Sequence, residues 1–336
     1  MQISKKYHKC FVIFLFFSVS LYNKHLYNLI TVMDYQQILN KIYEEVKPLI
    51  GKGKVADYIP ALGNVSSNQF AMAVSTVNGE EYTVGEANKI FSIQSVSKVF
   101  TLTIAMGLIG DKLWKRVGRE PSGSSFNSLV QLEYENGIPR NPFINPGAIV
   151  VSDAIFEGRG KTKNRLLKFV REVSGNPTIS FNEEVAESER KFGNRNRAMA
   201  NLMKSFGNLN ETADDVLDIY FHQCSIGMTT LDLARSALFL ANSGINPKTG
   251  KKVLSSRMTK KMNSLMLTCG LYDAVGDFAY RVGLPGKSGV GGGIVAVVPD
   301  ELTVAVWSPA LNKHGNSYAG TKALELFTTY ADNSIF

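Results

Sequence analysis

A chain of 336 residues with 44% hydrophobic and 20% charged residues has the length and composition of a globular protein with one large or two average domains. Its net charge of +8 does not mark a nucleic-acid binder: residues 1–32 hold Lys5, Lys6, Lys9 and Lys24 with no acid, half of the excess, and elsewhere the basic residues are interspersed with acids, as in DKLWKRVGRE. Three cysteines provide no disulfide framework and fit a reducing, cytoplasmic compartment, while four histidines without partner spacing argue against a Ser-His-Asp triad and against a metal site.

Taken in chain order, residues 1–32 pair a basic start with the apolar run CFVIFLFFSVSLY, which has signal-peptide length, is short for a membrane span and lacks a small-x-small cleavage pattern. The expected start is Met33. The preceding segment is then either mis-assigned coding sequence or a vestigial export signal, and only in the latter case is the chain exported. From Met33 a helix is expected with Ile38, Ile42, Val46 and Leu49 on one face. FAMAVSTVNGEEYTVG reads as a β-hairpin about Asn78-Gly79. A helix follows Ser95, with Val99, Leu102, Met106 and Ile109 at helical spacing. The stretch from about 107 to 250 is mostly helix and loop, with LLKFVREVSG, AMANLMKSFGN and TTLDLARSALFLANSG each closing on glycine. Strands return in GGGIVAVVP and LTVAVWSP, a hairpin about Pro299-Asp300-Glu301, and TKALELFTTYAD is a closing helix. Strands from both ends of the chain with helices inserted between them predict an α+β fold. One antiparallel sheet is flanked by the terminal helices, a helical subdomain is inserted, and the site lies in the crevice between them.

Two short motifs carry chemistry. Ser95-Val96-Ser97-Lys98 places a hydroxyl and an amine about one helical turn apart, so Lys98 can hold and activate Ser95 once a low-dielectric pocket and a second positive charge push it toward its basic form. Lys287-Ser288-Gly289, heading an apolar strand, offers Lys287 as that second charge. Two decoys fail on context. Ser188-Glu189-Arg190-Lys191 runs into the polar RKFGNRNR, and Lys248-Thr249-Gly250 sits in the turn-like NPKTGKK. The pair of motifs together points to serine acyl transfer.

Eight further segments are unusually specific for loops: DYIPAL, FSIQSVSK, PSGSSFNSLVQLE, IPRNPFINPGAI, SERKFGNRNRAMANLMKSFGN, YFHQCS, CGLYDAVGDFAYRVGLPGKSGVGGGI and AVWSPALNKHGNSYAG. In this order they resemble the bacterial-type glutaminases, from about Lys41 to the C-terminus. The resemblance implies a β-lactamase/transpeptidase-like fold, a single catalytic domain over 33–336, hydrolysis of L-glutamine to L-glutamate and ammonia without metal or organic cofactor, and a homo-oligomer, commonly a tetramer. By motif it implies Ser95 as nucleophile, Lys98 as its activator and Tyr272 as proton relay. Tyr58, Asn145, Glu189, Asn196, Tyr220 and the Val290 backbone are then the substrate contacts, alongside Ser95 and Tyr272. One carboxylate for the substrate ammonium and neutral amides for its remaining polar groups suit a free amino acid. Backbone N–H groups of Ser95 and Val290 are the expected oxyanion hole.

Three positions depart from the pattern: Pro146, Val275 and Gly286. Pro146 is the consequential one, since proline lacks a donor and biases Asn145 toward extended geometry. It motivates the alternative of a glutamine-binding protein of the same fold with impaired turnover. A penicillin-interactive hydrolase is the other alternative. It requires an exported chain and a Ser/Tyr-x-Asn element, matched formally by Tyr134-Glu135-Asn136, which reads as a helix end.

Overall fold

Residues 34–122 and 129–336 are described by the computed structural model; the expected leader over 1–32 lies outside the described residues. Helix α1 (Tyr35–Val46) buries Leu39, Ile42 and Val46 on one face and stops short of Leu49, because Pro48 follows and the chain tightens into a 3₁₀ turn. Strands β1 (Ala71–Thr76) and β2 (Glu81–Gly85) form the expected hairpin, turning where Gly79 adopts φ +92°. A short strand β3 (Phe91–Ser92) and the 3₁₀ turn Gln94–Ser97 then lead into α2 (Lys98–Ile109).

The helical region continues with α3 (Asn145–Ala154) and α4 (Arg159–Ser174), which ends at Gly175 with φ +70°. Strand β4 (Ser180–Phe181) and helices α5 (Glu183–Phe192), α6 (Asn194–Ser205) and α7 (Ala213–Cys224) follow. After β5 (Ile226–Met228) comes α8 (Thr230–Ala241), opened by a reciprocal Thr229–Asp232 capping box, and then α9 (Ser256–Cys269) and α10 (Val275–Arg281). Strands β6 (Gly286–Ser288), β7 (Gly293–Val298) and β8 (Leu302–Trp307) lead to the closing helix α11 (Tyr318–Ala331).

The main sheet is antiparallel throughout, in the order β2-β1-β8-β7-β6, with Ala73 opposite Ala305 and Ala305 opposite Val295. Every residue of β1, β7 and β8 is buried, because α8 covers one face and α11 packs on β7 and β8. Ala73, Val295 and Ala305 join the large core shared with the helical region. A second sheet, β3-β5-β4, was not anticipated: its strands are two or three residues long, too short for alternation to register. It ties the segment before Ser95 to the ends of α5 and α7, since β3 pairs with the strand that follows α7 and β4 immediately precedes α5. Among the described residues no helix is long and apolar enough to cross a membrane.

Candidate active site

Ser95 stands in the 3₁₀ turn between β3 and α2, and Lys98 opens the α-helix proper. The turn begins at Gln94, whose φ of +48° is a left-handed conformation seldom adopted by residues other than glycine, and it is locked by a 2.7 Å bond from Ser97 Oγ to the Gln94 carbonyl. Lys98 is 1% exposed. Its Nζ donates to Asn145 Oδ1 at 2.8 Å and to the Phe143 carbonyl at 3.1 Å, so only neutral acceptors hold it. Burial pulls its pKa down to about 8, while negative charge at Cys224 or Glu189 acts in the opposite direction.

Lys287 is also fully buried, on β6, and donates to the carbonyls of Gly270 at 2.9 Å and Ser288 at 2.5 Å. Burial and the neighbouring Lys98 charge hold its pKa well below the usual ammonium value. Desolvation leads the lowering at both lysines, and the repulsion between their two charges disfavours having both protonated at once. The Lys287 amine lies 4.8 Å from the centre of the Tyr272 ring.

The glycines after Lys287-Ser288 form the β6–β7 turn, closed by bonds from Gly292 N to Gly289 O and from Gly289 N to Gly293 O, both 2.9 Å. A Cβ on Gly289 would come within 2.5 Å of the Ile93 carbonyl oxygen and 3.1 Å of the Ser95 nitrogen, and one on Gly291 within 2.2 Å of the Ser92 oxygen. The turn therefore packs backbone against backbone on the segment that carries Ser95. That close approach brings Val290 to the Ser95 turn and requires residues without side chains at both contacts.

Tyr272 enters from a 3₁₀ turn ahead of α10, with φ +56°. Burial pushes its phenol up to about 12, while the nearby Ser95 and Ser288 side chains and the Val290 backbone act to lower it. Two non-glycine residues with left-handed backbones, Gln94 and Tyr272, thus border Ser95.

Ser95, Tyr272 and Val290 face a cavity of about 340 Å³, within the range of small-molecule sites. Tyr58, Asn145, Glu189, Asn196 and Tyr220 line the same cavity. Of the residues singled out in the sequence, Lys98 and Lys287 do not line the cavity; Lys98 is in hydrogen-bond contact with Asn145, which does. Asn145 is the first residue of α3 and Pro146 the second, so the extended geometry expected before proline does not occur. The missing proline N–H falls among first-turn groups that have no intrahelical acceptor, and the Asn145 side chain bridges Lys98 and Asn196 Oδ1 (3.2 Å). Glu189 lies on the inner face of α5 and is buried, while its neighbour Arg190 turns outward to Glu187 and Asp218. Burial raises the Glu189 pKa, opposed by the Tyr58 hydroxyl, the nearby Gln94 amide and the Lys98 charge. The Tyr58 hydroxyl donates to Glu189 Oε1 at 2.6 Å. Gln94, Phe192 and Arg195 also line the cavity and were not singled out; Gln94 stands beside Ser95 in FSIQSVSK, but only its backbone conformation and burial mark it. Tyr134-Glu135-Asn136 terminates the short helix Leu129–Tyr134, with Tyr134 exposed and none of the three in the cavity wall.

Residues 53–336 match the family model described as glutaminase. The chain is 58% identical over 305 residues to a glutaminase of Aliarcobacter butzleri, covering 90% of this chain and all of that protein, and 56% identical over 307 residues to one of Agrobacterium fabrum, covering 91% and 99%. The chain belongs to the glutaminase family. Its structure superimposes on the probable glutaminase ybaS with a TM-score of 0.87 at 36% identity, covering 91% of this chain and 99% of that one. A probable glutaminase from Bacillus subtilis, complexed with 6-diazo-5-oxo-L-norleucine, gives 0.82 at 31% identity over 91% and 97%. As a glutaminase, the chain is an amidohydrolase with the β-lactamase-like fold, and its reaction is hydrolysis of L-glutamine.

Proposed function

We propose that this glutaminase works through a Ser95 acyl-enzyme activated by Lys98. The observation that carries the reading is the burial of Lys98, one turn beyond Ser95, among neutral acceptors that leave its pKa near 8, where an amine can serve as a base around neutral pH. In the first half-reaction neutral Lys98 takes the Ser95 hydroxyl proton as Oγ attacks the side-chain carbonyl carbon of glutamine. The negative oxygen that develops faces the backbone N–H groups of Ser95 and Val290, brought together by the glycine turn. As the carbon–nitrogen bond breaks, the proton taken up by Lys98 is relayed through Tyr272, a phenol that burial keeps neutral, to the nitrogen, which leaves as ammonia and restores neutral Lys98. Water then adds to the ester with Lys98 again as base, the carbon–oxygen bond to Ser95 breaks as that proton passes from Lys98 to Ser95 Oγ, and glutamate leaves.

Glu189 is the partner for the substrate ammonium, and Asn145, Asn196, Tyr58 and Tyr220 supply neutral polar contacts around it. The relative complexed with 6-diazo-5-oxo-L-norleucine supports an α-amino acid in this cavity, since that compound has its carbonyl at the carbon which bears the amide in glutamine. We further infer a single catalytic domain over 33–336, a homotetramer, and a cytoplasmic location; the two buried free cysteines, Cys224 and Cys269, are consistent with a reducing compartment. Light scattering on the purified chain tests the tetramer, and a monomer at micromolar concentration overturns it. For the mechanism, ammonia release from L-glutamine is measured for the full chain and for Ser95→Ala. Abolished turnover in a folded Ser95→Ala protein, with glutamine still raising its melting temperature, is expected; turnover near the unmodified rate overturns Ser95 as nucleophile.

A further inference from the structure

Asp218 stands within α7 and is 6% exposed, a burial that an aspartate sustains only when its charge is matched. Two other helices supply the match. Arg190 of α5 donates to Asp218 Oδ1 at 2.9 Å, and Lys163 Nζ of α4 lies 3.1 Å from Oδ2. His222, one turn further along α7, bonds the Asp218 backbone carbonyl through Nδ1 at 2.7 Å and stands edge-on to Phe181 of β4. Burial works against the charge, yet Lys163, His222 and Arg190 hold the Asp218 pKa below the usual carboxylate value. None of these groups lines the cavity beside Ser95.

Their neighbours along the chain do. Glu189 precedes Arg190 on α5, and Tyr220 follows Asp218 by two residues on α7, a spacing that turns two side chains to different faces of a helix. The Arg190–Asp218 ion pair therefore ties α5 to α7 while Glu189 and Tyr220 face the cavity. The end of α5 has little room to shift, since a Cβ on Gly193 would come within 2.7 Å of the Phe221 ring of α7. Arg197 of α6, the helix that carries Asn196, donates to the Arg190 carbonyl, so the same residue also holds the next helix. We infer that Asp218 is a positioning residue acting from outside the cavity: through Arg190 it fixes α5 on α7 and so sets the Glu189 carboxylate relative to Tyr220. The inference rests on the reading of Glu189 as the partner of the substrate ammonium. Lys163 neutralises the same carboxylate from α4, a helix with no residue in the cavity lining, so it shares in the stability of the cluster and not in the positioning.

The test is steady-state glutamine hydrolysis and thermal unfolding of Asp218→Asn, Arg190→Met, Arg190→Lys and Lys163→Met, with Glu189→Gln beside them. Asp218→Asn and Arg190→Met are each expected to raise KM by roughly two- to thirtyfold, the range for residues that act on a site through packed neighbours. The kcat should change less, because Ser95 and Lys98 stand on another segment. Arg190→Lys keeps the cation and should recover most of the loss. The double variant Asp218→Asn/Arg190→Met should be no worse than the poorer single one, because either change already breaks the pair. Lys163→Met should lower the melting temperature and leave KM unchanged. The Arg190 side chain is 44% exposed, so its variants report on the pair even where Asp218→Asn fails to fold. A lowered melting temperature with unchanged KM in Arg190→Met, beside a Glu189→Gln protein with strongly raised KM, overturns the positioning role. So does a KM in Lys163→Met raised as far as in Arg190→Met. Unchanged KM in Glu189→Gln overturns instead the reading of Glu189 on which the inference stands.

Discussion

Replacing Gly289 by alanine tests the backbone contact on which the oxyanion geometry depends. The new Cβ would sit 2.5 Å from the Ile93 oxygen, 3.1 Å from Ser95 N and 3.2 Å from Val96 N, all backbone atoms with no flexible side chain to yield. Ordinary contact begins near 3.4 Å, so the β6–β7 turn and the Ser95 turn must separate by roughly 0.9 Å. The Ile93 oxygen also accepts the 3.1 Å bond from Val96 N that starts the 3₁₀ turn, so the displacement reaches Ser95 directly. A shift of about 1 Å at reacting groups costs on the order of 10²-fold, and loss of one oxyanion donor about 10²–10³-fold. We therefore expect kcat for glutamine to fall by roughly 10²-fold or more in Gly289→Ala. KM should change far less, because the new Cβ meets neither Glu189 nor Asn196, which stand on α5 and α6. Overpacking of this kind costs about 1–3 kcal/mol, a melting temperature lower by several degrees for a domain of this size. Ammonia release and thermal unfolding are measured together, with Gly276→Ala as control, since a Cβ there meets nothing within 4 Å. A Gly289→Ala protein with kcat within threefold of the unmodified chain and an unaltered melting temperature would refute the reasoning.

The pH dependence of turnover should follow Lys98: activity rises with pH and levels off above about 8, as the buried ammonium loses its proton and becomes a base. Lys98→Met should lower kcat by about 10²–10⁴-fold and remove that dependence, and a flat profile from pH 6 to 9 for the unmodified chain contradicts it. The same depressed pKa makes the unfolded chain bind the Lys98 proton more readily, so its contribution to stability increases as pH rises from about 8 toward the ordinary lysine value of 10.5, and denaturation of Lys98→Met should lack this increment. Pro146→Ala should leave kcat/KM within about twofold, because Pro146 occupies a first-turn position where no donor is missed, and should lower stability by about 0.4–1 kcal/mol through the freer unfolded chain. A tenfold gain in kcat for Pro146→Ala would instead support a site impaired by the proline.

The parts of this protein legible in its sequence are those decided by neighbours along the chain. Ser95 and Lys98 are one turn apart in any helical geometry, the hairpins of the sheet are written in apolar-rich strands about Asn78-Gly79 and Pro299-Asp300-Glu301, and the helices α4, α6 and α8 end within three residues of the glycines that mark them. The remaining cavity residues were available only through resemblance, because nothing local distinguishes Tyr58 or Asn196 from any other tyrosine or asparagine. Tertiary structure alone decided the rest. The sheet β3-β5-β4 is too short to show a period, and its strands are joined only by chain folding. The Gln94 side chain meets Tyr58 from a distant segment, so its left-handed backbone and its place in the cavity wall have no signature in the octapeptide that contains it. The lowered pKa values of Lys98 and Lys287 depend on how completely each is desolvated and on which carbonyls surround it. Sequence spacing sets which groups can meet; the free energy of an ionised group is set by what surrounds it, and that is known only once distant segments have packed.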